Sequence, residues 1–499
     1  MSKSGSSTHW HGVIDIGSNS LRLVIYDVSG RALLPHYNEK VMARLGAGLS
    51  QTGRLPPEGI EVALRALGRY RAILEGLNVT HVRVVATAAV RMASDGPAFV
   101  ERVKAETGLE VEVITGEEEA RLSALGVSGG IYQATGIVGD LGGSSLELAR
   151  LENGVVQAGE TLSLGPLSMD MKGLGRTGLR KAVRKALTRS DILPGAEGRF
   201  YMVGGAWRAL AKLHMDISEY PLRQLQAYVL DERAIFEIDK AANRKDPVGL
   251  QQLVAASQRR ADILPYANLV LKEAFAIGAF KDAMVSAYGV REGVILDGLA
   301  RKSSSPKATD ALLEGVALSV RLQDQRREFS EALFNWVSPV VEPRPDLFGE
   351  RDLDMRLVAA ACLLADSGAR FHPDTRAELA YNQALNGPYS NVTHSERAFI
   401  ALAIGHRYSR NIRPSKRSEG LLDKRQIKLA KRLGAAMRLA SRFSGRSATV
   451  LKQSQLIRED HQITLAVRKS NIALVSTTVE RRLRTLANLM DLDANVLDG

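Results

Sequence analysis

A nine-residue pattern occurs twice in this 499-residue chain, and this repeat constrains the fold more than any other feature. Residues 15–23 read DIGSNSLRL, and residues 140–148 read DLGGSSLEL. Both give Asp, an aliphatic residue, Gly, two small residues, Ser, Leu, any residue and Leu. Each copy is an apolar run broken by a Gly/Ser turn, which is typical of a β-hairpin. The sequence therefore predicts two similar halves, each beginning with the same hairpin.

The segments after each hairpin alternate between strand and helix patterns. In the first half, helical spacing at 57–77 and 97–107 flanks predicted strands at 81–87 and 111–116, and a helix starts at Glu117. In the second half, three strands are predicted within 136–165. A strand, a Gly-Gly turn and a helix are predicted within 199–213, and YGVREGVILDGLA is the last segment of this half. The pattern predicts α/β halves at 1–130 and 131–302.

The remainder of the chain has a different pattern. KSSSPKATD at 302–310 is polar and contains Pro, which is typical of a linker. Helical periodicity then continues to about residue 445, and the tail has the strand-like runs SATVLKQSQL and QITLAVR followed by the helical VERRLRTLANLM. We therefore predict a helical domain at 303–445 and a small α/β domain at 446–499.

Charge and cysteine content narrow the class of protein. Residues 407–446 contain 13 Lys and Arg against two acids, which accounts for most of the net charge of +12. Such a segment is either a solvated helical face or a surface for a polyanion. The single cysteine, Cys362, lies in an apolar run and is predicted to be a buried core thiol. With no apolar segment of membrane-spanning length and no signal-peptide core, a cytoplasmic location is expected.

The repeated turn suggests a phosphate site. Successive backbone N–H groups and hydroxyls at a Gly/Ser turn can surround an anion, and two facing turns could hold one phosphate chain from both sides. Asp140 and Glu147 flank the second turn and could bind Mg²⁺ with phosphate oxygens, although Asp140 and Asp15 could also only order their turns. Arg91 could clamp a phosphate. Which of the three acids in GEEEA is functional stays open at this point.

Eight motifs together resemble the exopolyphosphatase and guanosine pentaphosphate phosphohydrolase family. In order over residues 12–300 they are VIDIGSNSLRLVIYD, ATAAVRMA, ITGEEEARL, GIVGDLGGSSLELA, TLSLGPL, MVGGAW, RRADILP and YGVREGVI. The resemblance implies the fold of the actin, sugar kinase and Hsp70 superfamily, in which two ribonuclease H-like halves enclose a phosphate-binding cleft. It also implies that the activity is hydrolysis of a terminal phosphate.

The same resemblance implies roles for individual residues. Glu119 matches the catalytic base that deprotonates the attacking water, with structural roles for Glu117 and Glu118. Asp140 and Glu147 match the Mg²⁺-associated acids. The positions that match phosphate contacts are Ser18, Asn19, Ser20, Arg91, Gly142, Gly143, Ser145, Gly204 and Gly205. Ser144 and Leu146 replace a Gly and a Thr of the family motif, and we expect the Ser144 hydroxyl to remain a phosphate donor.

Residues 306–499 resemble the longer members of the family, which carry a helical domain similar to HD phosphohydrolases and a small C-terminal domain. Ala365 stands where that motif has His, and Ser441 where a later metal-ligand Asp is expected, so Asp366 should bind metal poorly. His372, His394 and His406 are expected at helix caps or on the surface. A basic track for a polyanion is predicted at Arg413, Lys416, Arg417, Lys424, Arg425 and Lys428.

The sequence thus predicts an exopolyphosphatase that needs Mg²⁺ and, by resemblance, forms a homodimer. Three alternatives remain open at this stage. The chain could hydrolyse guanosine pentaphosphate to the tetraphosphate, because both substrates end in a phosphoanhydride. It could be an ATP-binding member of the same superfamily, or a sensor that binds polyphosphate or the guanosine tetra- and pentaphosphates without hydrolysing them.

Overall fold

The computed structural model describes residues 9–169, 173–242, 263–302, 310–321, 324–341, 348, 351–415, 418 and 420–498. The chain divides into two compact units, Met1–Ala311 and Leu312–Gly499. Most of the predicted linker, residues 303–309, lies outside the described residues, as does the first part of RRADILP. The finer boundaries at 130/131 and 445/446 stay predictions.

The first unit begins with a five-stranded sheet in the order β3-β2-β1-β4-β5. β1 pairs antiparallel with β2 and parallel with β4. The strands are β1 Trp10–Ile16, β2 Leu21–Ser29, β3 Ala32–Val41, β4 His81–Ala86 and β5 Val111–Val113. The helices are α1 Leu49–Thr52, α2 Pro57–Gly76, α3 Ala88–Met92 and α4 Gly96–Thr107. β5 is shorter than the strand predicted at 111–116, because Thr115 already caps the next helix by accepting a hydrogen bond from the Glu118 N–H.

The second sheet repeats this arrangement with an extra edge strand, in the order β8-β7-β6-β9-β11-β10. Its strands are β6 Gly136–Leu141, β7 Leu146–Glu152, β8 Val155–Leu162, β9 Glu197–Val203, β10 Val229–Leu230 and β11 Ala279–Val285. The helices are α5 Gly116–Gly130, α6 Gly175–Thr188, α7 Gly205–Ile217, α8 Glu232–Ala242, α9 Leu264–Ile277 and α10 Val290–Lys302. Asp15 pairs with Arg22 across the first hairpin, and Asp140 pairs with Glu147 at the same place in the second. The predicted duplication is confirmed in topology and register.

Each sheet has its own apolar core. The Ile and Leu residues of β1 and β2 pack with Leu67 and Tyr70 of α2, whereas the second core surrounds Trp207. The indole of Trp207 contacts Phe200 edge to face and donates a hydrogen bond of 2.9 Å to the Ala267 carbonyl. Burial of large apolar side chains on both sides of the hairpins therefore fixes the strands that carry the two turns.

Glycines allow α5 and α10 to pack closely. A Cβ on Gly126 would lie 2.1 Å from the Gly289 carbonyl oxygen, and one on Gly293 would lie 1.8 Å from that of Leu122. α10 also reaches the first sheet, where Tyr26 donates a buried hydrogen bond to Glu292. The two halves of the first unit are therefore joined through this helix pair.

The second unit is mainly helical. Its helices are α11 Ala311–Ser319, α12 Asp324–Val337, α13 Arg351–Leu364, α14 Arg376–Asn386, α15 His394–Tyr408, α16 Lys424–Ser444, α17 Ala448–Lys452 and α18 Thr477–Met490. A three-stranded sheet follows the order β12-β13-β14, with β12 Ser454–Arg458, β13 Gln462–Val467 and β14 Asp493–Asp498. Capping boxes begin α15 at Thr393 and α16 at Asp423.

Two local predictions in this unit are wrong. The first part of SATVLKQSQL forms α17 and not a strand, because Ser447 caps the helix by accepting a hydrogen bond from the Val450 N–H. His394 and His406 were expected at caps or on the surface, but they are 5% and 4% exposed, since α15 packs between neighbouring helices. His372 is largely exposed as expected.

Cys362 is buried, as predicted, and burial raises the pKa of its thiol well above the usual range. Among the described residues, no helix is both long and apolar enough to cross a bilayer.

Candidate active site

The two repeated turns face one another in the first unit. In each turn a glycine N–H donates to a serine carbonyl, from Gly17 to Ser20 at 3.1 Å and from Gly142 to Ser145 at 2.9 Å. A Cβ on Gly143 would lie 3.1 Å from the Cβ of Ser18, so the turns are in contact. The structure therefore brings together Ser18, Asn19, Ser20, Gly142, Gly143, Ser144 and Ser145, as the duplicated sequence predicts.

Ser144, which replaces a glycine of the family motif, connects the two turns directly. Its hydroxyl donates a hydrogen bond of 3.0 Å to the Ser18 hydroxyl, and both residues are buried. Gly165 lies against its backbone, where a Cβ would be 2.2 Å from the Ser144 carbonyl carbon. The hydroxyl that was expected to remain a phosphate donor is thus already used between the turns. Leu146, the other departure, is fully buried in the core.

Gly204 and Gly205 lie where β9 ends and α7 begins. Gly204 has a φ of 101°, and a Cβ there would lie 2.5 Å from the Leu141 carbonyl oxygen and 3.1 Å from Oδ1 of Asp140. Only glycine fits this conformation and this close approach. The tight turn places the first turn of α7 beside Asp140.

Gly204→Ala is expected to lower the free energy of unfolding by about 2–5 kcal/mol, because backbone strain and the contact with Leu141 add together. Urea denaturation followed by circular dichroism measures this change. Gly68→Ala is the matched control: Gly68 lies inside α2 with open space around its Cα, and Ala there should stabilise by about 0.5–1 kcal/mol. Unchanged stability of Gly204→Ala would show that the turn is not tightly constrained.

Glu119 is the acid of GEEEA that lies inside the site. It is 8% exposed, and Arg91 Nη1 donates a hydrogen bond of 3.0 Å to its Oε2. The same Arg91 nitrogen donates to the Ile114 carbonyl at 2.8 Å, which fixes the guanidinium at the end of β5. Glu117 is exposed and Glu118 is paired with Arg121 at 2.7 Å, so neither faces the cleft. Of the three acids of GEEEA, Glu119 is therefore the buried one beside Arg91, and it is also the one that the family resemblance implies.

Burial raises the pKa of Glu119 to about 7, against the lowering effect of Arg91. The charges of Asp140 and Asp15 raise it further. A carboxylate with a pKa close to neutral can accept a proton at neutral pH and release it afterwards, as a general base requires.

Asp140 and Glu147 lie on adjacent strands at the base of the second turn. Burial raises the pKa of both, and for Glu147 the charges of Glu119 and Asp140 add to a large upward shift. Ser123 Oγ donates to Asp140 Oδ2 at 2.7 Å, and Thr161 Oγ1 donates to Glu147 Oε1 at 3.0 Å. The two carboxylates are held in fixed orientations, with mutual repulsion that a cation would relieve.

The carboxylates of Asp140 and Glu147 suit a hard cation only if other groups supply further ligands. In the described part of the chain, no three His, Cys, Asp or Glu side chains are arranged to hold a metal by themselves. Mg²⁺ commonly takes one or two carboxylates and completes its shell with water and substrate phosphates. Asp140 and Glu147 fit that mode of binding.

Two arginines that the sequence reasoning did not single out also face the site. Arg291 lies 3.1 Å from Asp15 Oδ2, and its buried Nε has no hydrogen-bond partner among the described residues. Arg208 donates to the Ala287 carbonyl at 3.1 Å, and burial followed by the charge of Arg291 lowers its pKa to about 10. Arg291 lies within YGVREGVI, and Arg208 directly follows MVGGAW in the first turn of α7, but neither motif indicated a role for its arginine.

The residues predicted to form a basic track lie in the second unit. Arg413, Lys424 and Arg425 are exposed, and Lys428 forms a 3.0 Å salt bridge with Asp491. Lys416 and Arg417 lie outside the described residues. The basic track therefore stays a prediction.

A duplicated α/β unit whose matching Gly/Ser turns meet beside buried acids and arginines defines a phosphate-handling protein of the actin-like class. The Ppx/GppA phosphatase family model matches residues 13–302, and the model for the exopolyphosphatase C-terminal region matches residues 345–497. The first match covers more than half of the chain, and the chain therefore belongs to the Ppx/GppA phosphatase family, a family of hydrolases.

Solved structures agree with this assignment. A Ppx/GppA family member from Aquifex aeolicus is 26% identical with a TM-score of 0.53, and the match covers 59% of this chain and 99% of that one. An exopolyphosphatase from Cytophaga hutchinsonii is 24% identical with a TM-score of 0.51, over 58% of this chain and 98% of that one, which supports the fold. The expected actin-like α/β fold is thereby confirmed.

Proposed function

We propose that this chain is an exopolyphosphatase, which removes terminal phosphates from inorganic polyphosphate and releases orthophosphate. The observation that carries the proposal is Glu119, buried beside facing phosphate-type turns, hydrogen-bonded to Arg91, with a pKa raised to about 7. A sensor without turnover would not need a carboxylate with this proton affinity. A kinase would need an acceptor for the phosphoryl group other than water.

In the proposed reaction, the two turns hold the end of the chain through backbone N–H groups and hydroxyls. Arg91 binds an oxygen of the terminal phosphate and keeps Glu119 in place. Glu119 accepts a proton from a water molecule that attacks the terminal phosphorus in line with the bridging oxygen, which leaves with the shortened chain. Positioning and charge neutralisation by the fixed groups carry most of the rate enhancement.

Asp140 and Glu147 are the residues proposed to hold Mg²⁺. The ion would neutralise charge on the phosphate oxygens when it is bound. Because the pKa of Glu147 is well above its usual range, binding of the ion should release a proton.

The alternative substrate is guanosine pentaphosphate, which also ends in a phosphoanhydride. Polyphosphate is favoured because the second unit matches the exopolyphosphatase C-terminal model, and because the basic residues of that unit suit a long polyanion. The basic track, the homodimer, the cytoplasmic location and the resemblance of the helical unit to HD phosphohydrolases stay predictions.

The pH dependence of orthophosphate release from long-chain polyphosphate, measured with Mg²⁺ between pH 5 and 9, tests this proposal. Glu119 must be ionised to act as a base, so kcat/KM should fall about tenfold per pH unit below roughly pH 7 and level off above it. Absence of orthophosphate release would refute the proposed hydrolase activity. A value of kcat/KM that does not change with pH would show that Glu119 does not act as the general base.

A further inference from the structure

Two hydroxyl groups hold the acids that are proposed to bind Mg²⁺. Ser123 Oγ donates to Oδ2 of Asp140 at 2.7 Å, and Thr161 Oγ1 donates to Oε1 of Glu147 at 3.0 Å. Ser123 lies on α5, one helical turn after Glu119, and Thr161 lies on β8, which packs against α5. Each acid is therefore held through one of its two oxygens by a side chain from a neighbouring element.

The other oxygen of each acid faces a glycine. A Cβ on Gly204 would lie 3.1 Å from Oδ1 of Asp140, and a Cβ on Gly142 would lie 3.9 Å from Oε2 of Glu147. Among the described residues, the hydroxyl of Ser123 is the only side-chain group that donates a hydrogen bond to the Asp140 carboxylate. The absence of side chains at the two glycines leaves room for a ligand at these oxygens.

Close packing keeps the Ser123 hydroxyl on Asp140. Ser123 is 1% exposed, and a Cβ on Gly289 would lie 3.7 Å from both Ser123 Oγ and Asp140 Oδ2. A buried hydroxyl that turned away from the carboxylate would lose its partner without gaining water, which is unfavourable. The orientation of the Asp140 carboxylate is therefore fixed by the contact between α5 and α10.

The number of oxygens that a carboxylate offers affects which cation it binds. Mg²⁺ requires a small, nearly octahedral shell and keeps several waters, whereas Ca²⁺ takes more oxygens at longer distances and often both oxygens of one carboxylate. A carboxylate that is held by one oxygen offers the other as a single ligand. Such an arrangement suits Mg²⁺ better than Ca²⁺.

We propose that Ser123 and Thr161 determine the metal selectivity of this site. By holding one oxygen of Asp140 and one of Glu147, they limit each acid to a single ligand oxygen and so favour Mg²⁺ over Ca²⁺. They are positioning residues, which act through the two acids. The inference rests on the proposed function, because it takes Asp140 and Glu147 as the metal ligands.

Displacement of Mn²⁺ from the full chain measures both affinities without turnover. Electron paramagnetic resonance of free Mn²⁺ gives the fraction of the ion that is bound, and Mg²⁺ or Ca²⁺ is then added to displace it. In the unchanged chain, Mg²⁺ should displace Mn²⁺ at a lower concentration than Ca²⁺. In Ser123→Ala, the ratio of the Ca²⁺ to the Mg²⁺ dissociation constant should fall by about tenfold, because the Asp140 carboxylate can then turn to offer both oxygens.

Thr161→Val is the second variant, since it removes the hydroxyl and keeps the branched shape. This shape matters because a Cβ on Gly116 would lie 2.3 Å from Cγ2 of Thr161, so there is little room for a different side chain. The ratio of the two dissociation constants should fall in Thr161→Val as well.

Ser128→Ala is the matched control. Ser128 lies on the same helix, is 9% exposed and donates a hydrogen bond of 2.6 Å to the Gly154 carbonyl. The change removes a buried hydrogen bond of the same kind away from the acids, so the ratio should stay that of the unchanged chain. An equal fall of the ratio in Ser128→Ala would overturn the inference, and so would an unchanged ratio in both Ser123→Ala and Thr161→Val.

Asp140→Asn distinguishes a failure of this inference from a failure of the proposed metal site. It should weaken the binding of Mn²⁺, Mg²⁺ and Ca²⁺ together. If Asp140→Asn binds the three ions as tightly as the unchanged chain, the proposed metal site is wrong and the selectivity mechanism is wrong with it. If Asp140→Asn weakens binding but neither hydroxyl variant changes the ratio, the metal site stands and only the role of Ser123 and Thr161 is overturned.

Discussion

Glu119→Gln is expected to lower kcat for orthophosphate release by about 10²–10⁴-fold, because the amide cannot accept the proton of the attacking water. Substrate binding should change little, since Gln keeps the size of the side chain and an oxygen that can accept the hydrogen bond from Arg91. Steady-state release from polyphosphate and calorimetric binding of the same polymer measure the two quantities separately.

Glu117→Gln is the matched control, because Glu117 is an acid of the same helical turn that is exposed. It should retain the activity of the unchanged chain. Comparable activity of the Glu119→Gln and Glu117→Gln variants would exclude Glu119 as the base.

Arg91→Gln is expected to reduce kcat/KM by about 10²–10³-fold, because a charged donor to the terminal phosphate is lost. It should also change the pH profile. Arg91 lowers the pKa of Glu119 by its charge and its hydrogen bond, so removing it should raise that pKa above 7. The acid limb of the kcat/KM profile should therefore move to higher pH, with part of the activity recovered in alkaline buffer.

Two further variants separate this effect from a general loss of charge. In Arg91→Lys, the acid limb of the kcat/KM profile should stay closer to pH 7, because the positive charge is kept. The value of kcat/KM should still be reduced, because an ammonium group lacks the planar fork of a guanidinium group. Arg83→Gln removes an arginine of the same half that pairs with Glu112 and Asp297, and it should leave the limb in place. A limb that stays near pH 7 in Arg91→Gln would contradict the coupling between Arg91 and Glu119.

The elements predicted correctly are those with strong local signals. The two hairpins have Gly/Ser turns between alternating apolar residues, and their equivalence follows from comparing two stretches of sequence. β14 was not predicted, because its DANVLD has few strand-forming residues and is held by parallel pairing with β13. α17 was mistaken for a strand because its β-branched residues outweighed the Ser447 cap.

In the candidate active site as well, residues in short motifs could be predicted, whereas contacts between residues distant in sequence could not. The turn residues and Arg91 could be found from short motifs, and family resemblance selected Glu119. The contact of Arg291 with Asp15 joins residues 276 positions apart, and no local pattern encodes it. The basic segment 407–446 is visible in the sequence only as an excess of positive charge, and the track predicted there stays a prediction.

The most direct test of the central claim is a comparison of orthophosphate release, with Mg²⁺, from long-chain polyphosphate and from guanosine pentaphosphate, with Glu119→Gln assayed in parallel. We predict a higher kcat/KM per chain end for the polymer and loss of that activity in the variant. Release mainly from guanosine pentaphosphate, or polymer hydrolysis that persists without the Glu119 carboxylate, would contradict the proposed exopolyphosphatase.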